Sequence, residues 1–387
     1  MVAEAVAPPF ARGASRPLVL IAIPLGFALL GYILRFFAFL QAGWSPSFWN
    51  YPDGLCRWDC LWYVTLAETG YNHFPTESLL DTGNWAFFPL LPMLVGGLHG
   101  LTGWVTIRIA TALSIGFSTL AVFAAWPLLG RNLRSYTLYA AFLLCGPFSV
   151  YFTTFYTEVL FVLLTNCLLL TLRRSSYLLS GVTAGLLSAT RIVGVFAVFA
   201  IVAQYLLDYR RGGRRWRNLP AEIWRDPTIV LAVLLAPIGL FTYMAYLYFH
   251  MGDALAFSHV QRAWGRITGN PAIFLWQGIT ATSNDGSWPA VDQWLALSAL
   301  TGLALTILLA WRRRYAEALF CVVCLAAPMT AGLASMPRFV VALSPLVLLA
   351  IELLARSKPV FVVLSVGFIA ADYFFTVGWL QNWLPLV

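Results

Sequence analysis

Long apolar runs, separated by short polar connections, make up most of the chain. A run of about 20 apolar residues is long enough to cross the hydrocarbon core of a bilayer as a helix. The runs are continuously apolar and do not alternate with polar residues, which favours helices over a membrane β-barrel. The first run, 17–40, is too long for the core of a signal peptide and has no clear cleavage site after it, so we expect a retained helix. The pattern predicts an all-α polytopic membrane protein.

Clusters of arginine interrupt the apolar runs and indicate an orientation. They occur at 131–135, 173–176, 210–217, 312–314 and 356–358. By the positive-inside rule these clusters are cytoplasmic, so an even number of crossings separates each from the next. This predicts about eleven transmembrane helices and a cytoplasmic N-terminus. The predicted spans are 17–40, 104–128, 136–152, 155–172, 176–190, 192–208, 228–249, 293–311, 316–332, 338–356 and 359–381.

The apolar segment 87–103 does not fit that count. It is short and is broken by Pro89, Pro92 and a pair of glycines. We therefore expect a re-entrant or interfacial helix on the non-cytoplasmic face. The whole chain, 1–387, is then one transmembrane domain with three larger connections. They are a first external loop at 41–103 with surface helices near 57–69 and 88–99, a basic cytoplasmic loop at 209–227, and a second external loop at 250–292.

Composition agrees with a membrane protein. The chain is 60% hydrophobic and 10% charged, with a mean hydropathy of +0.78, which lies outside the range of soluble globular proteins. The positive-inside rule accounts for the net charge of +8, so no nucleic-acid partner is expected. Cysteines within the apolar runs are expected to pack as small hydrophobes. Cys56 and Cys60 lie outside the bilayer, and whether they form a disulfide depends on the redox state of that side.

Seven basic residues fall on the external side of this topology, mostly near helix ends. They are Arg35, Arg57, Arg108, Arg191, Arg262, Arg266 and Arg338. Ionisable groups at membrane depth are costly and usually mark a site, and the planar fork of arginine suits a phosphate. The alternative is that individual arginines pair with Glu158 or Asp372 or extend to the interface.

A charged cluster stands out in the first external loop, where Arg57, Asp59, Glu68 and His73 occur close together. A helix from Arg57 to Thr69 places Trp58 on an aromatic face and Asp59 beside it. A carboxylate fixed there can accept a proton from a hydroxyl, although an N-cap role for Asp59 is an open alternative. The sequence contains no His, Cys and Asp set with metal-ligand spacing, so we expect no metal.

Six motifs, taken in order, make the chain recognisable. They are RWDCLWYVTLAETGY (57–71), NWAFFPLLPML (84–94), GPFSVYFTTFYTEVLFVLL (146–164), AGLLSATRIVGV (184–195), FSHVQRAWGR (257–266) and MPRFVVALSPL (336–346). The set resembles the PIG-V family, mannosyltransferases that add the second mannose of the glycosylphosphatidylinositol anchor, and their bacterial relatives.

The resemblance implies a GT-C glycosyltransferase with a lipid-phosphate sugar as donor and a catalytic carboxylate in the first external loop. Asp59 matches that carboxylate by position. The arginines expected to bind the donor phosphate are Arg191, Arg262 and Arg338. The residues expected to bind or support substrate are Arg57, Trp58, His73, Asn84, Phe88, Tyr156, Glu158 and Gln261.

The predicted function is an inverting transfer of mannose from polyprenyl-phosphate mannose to a lipid-linked or cell-envelope acceptor. No cofactor is expected beyond this co-substrate, and the expected partners are membrane lipids and a glycolipid or glycan acceptor. The compact, basic, alanine-rich chain is typical of bacteria, which predicts an inner (plasma) membrane protein whose site faces the periplasm or exterior. Because bacteria do not make the anchor, the family's acceptor is not carried over.

Two alternatives are a lipid-linked sugar polymerase or ligase, and a secondary transporter. A transporter would be expected to show two related halves, and none is visible.

Overall fold

A computed structural model describes residues 17–44, 47–72, 83–266, 268–282 and 291–382. All regular secondary structure in these ranges is helical, which confirms the predicted all-α class. Short 3₁₀ helices occur at Asn84–Ala86, Ile192–Phe196, Trp216–Asn218 and Val260–Trp264.

The α-helices of the first half follow one another with short connections. They are α1 (Pro17–Gln41), α2 (Tyr51–Leu55), α3 (Asp59–Thr69), α4 (Leu90–Thr102), α5 (Thr106–Leu128), α6 (Leu133–Cys145), α7 (Ser149–Thr153), α8 (Glu158–Arg173), α9 (Tyr177–Thr190) and α10 (Ala197–Arg211).

The second half is built in the same way. Its helices are α11 (Leu219–Arg225), α12 (Thr228–Leu235), α13 (Ile238–Met251), α14 (Ala256–His259), α15 (Pro271–Thr280), α16 (Val291–Trp311), α17 (Tyr315–Met329), α18 (Met336–Ala342), α19 (Ser344–Leu354) and α20 (Lys358–Gln381).

Six helical segments of the described chain are long and apolar enough to cross a membrane. They are Pro17–Gln41, Thr106–Leu128, Ile192–Arg211, Thr228–Met251, Val291–Trp311 and Lys358–Gln381. The pair α18 and α19 makes a seventh if it is counted as one span, although its two halves are bent by 74°. The chain is thus a multi-pass membrane protein.

The prediction of eleven crossings is not confirmed, and it stays a prediction. Each predicted span contains a helix, but several of these helices have 13 to 16 residues. At a rise of about 1.5 Å per residue they are shorter than the hydrocarbon core, which is about 30 Å thick.

Both helices predicted in the first external loop are present, as α3 and α4. Gly96 lets them cross closely, because a Cβ at this position would overlap the carbonyl of Ala67. One face of α4 is buried through Leu91 and Val95, whereas Met93 is 69% exposed. A short helix with one buried and one exposed apolar face agrees with an interfacial location.

The arginine clusters gather at one end of the bundle. Arg173, Arg211, Arg313 and Arg314 line a common cavity, and we call this part of the molecule the basic end. Arg173 is the last residue of α8, whereas Glu158 is the first. Glu158 therefore lies at the opposite end of the same helix, about 22 Å away at 1.5 Å per residue.

A buried ion pair joins the first helix to the last. In α1 the Arg35 Nη1 lies 3.2 Å from Asp372 Oδ1 of α20, and both residues are 1% exposed. Arg35 Nη1 also donates to the Ser149 hydroxyl at 3.0 Å, and that hydroxyl donates to Asp372. The structure thus shows Arg35 paired with Asp372, which was the alternative to a phosphate-binding role.

We predict that Asp372→Ala destabilises the protein by about 3 to 5 kcal/mol, because it leaves the Arg35 guanidinium buried without a counter-charge. Unfolding in detergent, followed by circular dichroism, measures the change. Glu222→Ala is the control. It breaks the exposed Arg214–Glu222 pair and should cost about 1 kcal/mol or less. Equal losses in the two variants would contradict the prediction.

Candidate active site

A buried carboxylate at the start of α8 holds two arginines. Glu158 is 1% exposed, and its Oε1 lies 2.7 Å from Arg191 Nη1 and 2.7 Å from Arg338 Nε. None of these three atoms takes part in an aligned hydrogen bond within the described chain. The contacts are ion pairs, and a better-aligned acceptor can still engage the donors of both guanidinium groups.

Arg338 connects Glu158 to Asp59. From α18, its Nη1 donates to Asp59 Oδ2 at 2.6 Å. The guanidinium lies 5.7 Å from the ring centroid of Tyr156 and 5.8 Å from that of Tyr151. Aromatic rings on a guanidinium restrict its position and add cation–π attraction. One side chain therefore links α3, α8 and α18.

Arg191 approaches Glu158 from another element. It follows the last residue of α9 in an extended conformation, and its side chain is 12% exposed. The guanidinium lies 5.0 Å from the ring of Phe339 and 6.0 Å from that of Phe161. Phe339 is the residue after Arg338 in α18. The ring that packs against Arg191 is therefore next in sequence to the second arginine.

Asp59 is the most accessible of these four charged groups, with 22% of its side chain exposed. The helix begins at Asp59, not at Arg57 as predicted, and the N-cap position belongs to Trp58. The alternative of Asp59 as N-cap therefore does not hold. The carboxylate contacts Arg338 instead.

The backbone just before Asp59 is strained. Trp58 has φ of +47° and ψ of −117°, a region that residues with a Cβ rarely adopt. It lies between Cys56 and Cys60, which form a disulfide, and its ring packs against Trp379 with centroids 4.4 Å apart. Trp58 thus does not continue the predicted aromatic face of α3. Strained residues held by their surroundings are common at functional sites.

Arg57 and Tyr156, both predicted to bind or support substrate, hold the segment before α3 in place. The carbonyl of Arg57 accepts a hydrogen bond from the Tyr156 hydroxyl at 2.7 Å. The Arg57 guanidinium donates to the Trp379 carbonyl at 3.1 Å and to Asn382 Oδ1 at 2.7 Å. Arg57 and Tyr156 position the start of α3, and Tyr156 also contacts Arg338.

Asn84, Phe88 and Gln261 make their contacts within the described ranges to residues outside the charged cluster. Asn84 is fully buried and closes the loop after α3, donating to the Gly70 carbonyl at 2.9 Å and accepting from the Asn72 amide at 3.1 Å. Phe88 packs against Tyr243 and Phe257. Gln261 donates a long bond of 3.4 Å to the Phe257 carbonyl, and His73 lies outside the described residues.

Arg262 and Arg266, the two arginines of the motif at 257–266, differ in exposure. Arg262 is exposed and forms no ion pair within the described ranges. Arg266 is partly buried, and that burial, together with the charge of Arg338, lowers its pKa, while the Asp59 carboxylate raises it. The charges of Arg338 and Asp59 thus act on Arg266, and the predicted role of Arg262 at the donor phosphate stays a prediction.

The cluster combines an accessible carboxylate with arginines that retain donors. Such a site can bind an anionic group and accept a proton from a hydroxyl beside it. Within the described ranges, no three His, Cys, Asp or Glu side chains are grouped closely enough to hold a metal ion. Metal independence of the chemistry stays a prediction.

Comparison with known proteins indicates a class of protein for this chain. The chain matches no protein-family model, but it is similar in sequence to curated mannosyltransferases. It is 30% identical over 215 residues to a GPI alpha-1,6-mannosyltransferase 2 of Mus musculus, covering 51% of this chain and 41% of the relative. The protein of that name in Homo sapiens is 35% identical over 124 residues, covering 29% and 24%.

The match to the Cricetulus griseus protein of the same name is 32% identical over 164 residues and covers 39% and 32% of the two chains. The chain thus spans less than half the length of the curated relatives it matches. Similarity to PIG-V-like mannosyltransferases, predicted from the motifs, is confirmed.

We predict a strong energetic coupling between Glu158 and Arg191. A double-mutant cycle with Glu158→Gln and Arg191→Gln should give a coupling energy above about 1 kcal/mol, because the pair is nearly desolvated. Unfolding of the four proteins in detergent gives this value. The same cycle on Arg356 and Glu352, which are 3.9 Å apart and largely exposed, should give about 0.5 kcal/mol or less. Similar coupling energies in the two cycles would contradict the prediction that Glu158 and Arg191 are strongly coupled.

Proposed function

We propose that the protein is a GT-C glycosyltransferase that moves mannose from polyprenyl-phosphate mannose to a hydroxyl of a lipid-linked or cell-envelope acceptor, with inversion. The whole chain acts as one domain in the inner membrane of a bacterium. One observation carries the proposal: an accessible carboxylate, Asp59, lies 2.6 Å from a buried arginine in a chain similar to mannosyltransferases.

The charge balance of the cluster supports a phosphodiester donor. Arg191 and Arg338 are offset by Asp59 and Glu158. Arg266 lies near enough for these charges to act on it and leaves one net positive charge. A polyprenyl-phosphate sugar carries a single negative charge, so it neutralises the site when it binds. Glu158 lets two arginines stay close together before the donor arrives.

Donor binding also frees the base. A donor phosphate competes with Asp59 for Nη1 of Arg338, because both are anionic acceptors for the same N–H groups. Once Arg338 turns to the phosphate, the Asp59 carboxylate is available to a hydroxyl. The ion pair between Arg338 and Asp59 is then the resting state of the enzyme.

The reaction follows from these positions. The acceptor oxygen attacks the anomeric carbon from the face opposite the phosphate, while its proton passes to Asp59. The carbon–oxygen bond to phosphate breaks, and polyprenyl phosphate leaves with an added negative charge. Arg191, Arg338 and Arg266 stabilise that charge, which is the electrostatic part of catalysis.

Two features support a non-cytoplasmic site. The basic end lies at the opposite end of α8 from Glu158, and the positive-inside rule assigns such an end to the cytoplasm. The disulfide between Cys56 and Cys60, next to Asp59, fits an oxidising compartment.

We predict that Asp59→Asn lowers mannosyl transfer by at least about 100-fold, because the amide keeps the shape but cannot take the proton. The assay follows radiolabelled mannose from polyprenyl-phosphate mannose into membrane acceptors, using protein in lipid. Asp253→Asn, which changes an exposed acid on the second external loop, is the matched control and should keep wild-type rates. EDTA should leave the wild-type rate unchanged.

A folded Asp59→Asn protein with wild-type transfer would remove Asp59 as the base. Absence of transfer by wild type, together with counter-flow of a solute across the vesicle membrane, would favour a transporter.

We predict that Arg266→Gln and Arg262→Gln have different effects on KM for the donor. The first should raise KM for the donor about tenfold, because it removes one charged partner of the phosphate. The second should leave KM unchanged, since Arg262 is exposed and forms no ion pair within the described ranges. Donor titrations with the two variants measure this difference. A larger effect of Arg262→Gln would restore the residue suggested by the motif.

A further inference from the structure

The basic end contains a cavity that the proposed transfer does not use. Its volume is about 410 Å³, and it opens between the ends of α5, α8, α10 and α19 and the start of α17. Arg173, Arg211, Arg313 and Arg314 contribute four positive charges to its wall. Ligand cavities typically have volumes of about 300 to 1,000 Å³, so the cavity is large enough for a small polar group.

Two carboxylates also line the cavity, but arginines neutralise both of them. Glu317 pairs with Arg314 and lies 3.9 Å from Arg173. Glu352 lies 3.7 Å from Arg314 and also contacts two arginines outside the cavity wall, Arg312 at 4.0 Å and Arg356 at 3.9 Å. The cavity therefore keeps an excess of positive charge.

Two arginines in the wall keep available donors. Arg211 is 62% exposed, and its one ion pair within the described ranges is a 3.5 Å contact to Asp208. Arg313 is exposed and forms no ion pair in the part of the chain that the structure describes. A concave wall with an excess of one charge concentrates ions of the opposite charge.

We propose that this cavity binds a phosphate group, and that the source is the headgroup of an anionic phospholipid in the adjoining leaflet. Arginine forks bind phosphate through paired, charge-assisted hydrogen bonds. Basic pockets between membrane helices on the cytoplasmic side characteristically bind phospholipid headgroups. The cavity shares no residue with the cluster at Asp59. The test of this site is therefore independent of the proposed transfer.

The test compares two charge-matched double variants of the full-length protein in non-ionic detergent. Arg211→Gln with Arg313→Gln removes two charges from the cavity wall. Arg217→Gln with Arg225→Gln removes two exposed charges from the neighbouring cytoplasmic loop. Short-chain phosphatidylglycerol is titrated into each protein, with zwitterionic phosphatidylcholine as the reference of zero net charge, and the shift of the unfolding midpoint reports binding.

We expect wild type and the loop variant to bind phosphatidylglycerol with the same affinity, and the cavity variant to bind about tenfold more weakly. Equal binding by both variants, or equal responses to the two lipids, would overturn the proposal. Inorganic pyrophosphate in a second titration separates the sources. If it binds at these arginines and the lipid does not, the site takes soluble phosphate and the headgroup assignment is wrong. Midpoints without ligand show whether each variant is folded.

Discussion

The cost of burying charge in an apolar bundle governs the arrangement of this protein. Glu158 lies at 1% exposure, where an unpaired carboxylate is strongly unfavourable. Its two arginine partners come from the end of α9 and from α18, so these elements must meet at the start of α8. Arg338 in turn pairs with Asp59 at the start of α3. A requirement for neutrality in the interior thus fixes the position of a partly exposed carboxylate.

Much of the fold could be predicted because the physical signals are local. Apolar runs of sufficient length define helices without reference to the rest of the chain, and each predicted span contains a helix for that reason. The start of α3 was not predictable in this way. The backbone at Trp58 depends on a disulfide and on Trp379, which lies more than three hundred positions further along the chain. Contacts of that kind leave no periodic trace in a sequence.

Charged residues are rare in this chain, and this made several residues of the candidate site recognisable from the sequence. In a chain with 10% charged residues, Asp59, Glu158, Arg191 and Arg338 stand out, and the structure brings all four together. Asn84 and Phe88 share motifs with site residues, and in the structure they take part in loop hydrogen bonds and aromatic packing. Their predicted part in substrate binding, like that of Arg262, stays a prediction, because a motif does not separate these roles.

One consequence concerns how such a site can change over evolutionary time. A single oxygen, Oε1 of Glu158, serves both Arg191 and Arg338. Loss of the glutamate leaves two neighbouring cations facing each other, and loss of one arginine leaves the carboxylate with half its compensation. Viable descendants must therefore alter these positions jointly or keep them all. The buried trio is therefore inherited as a unit.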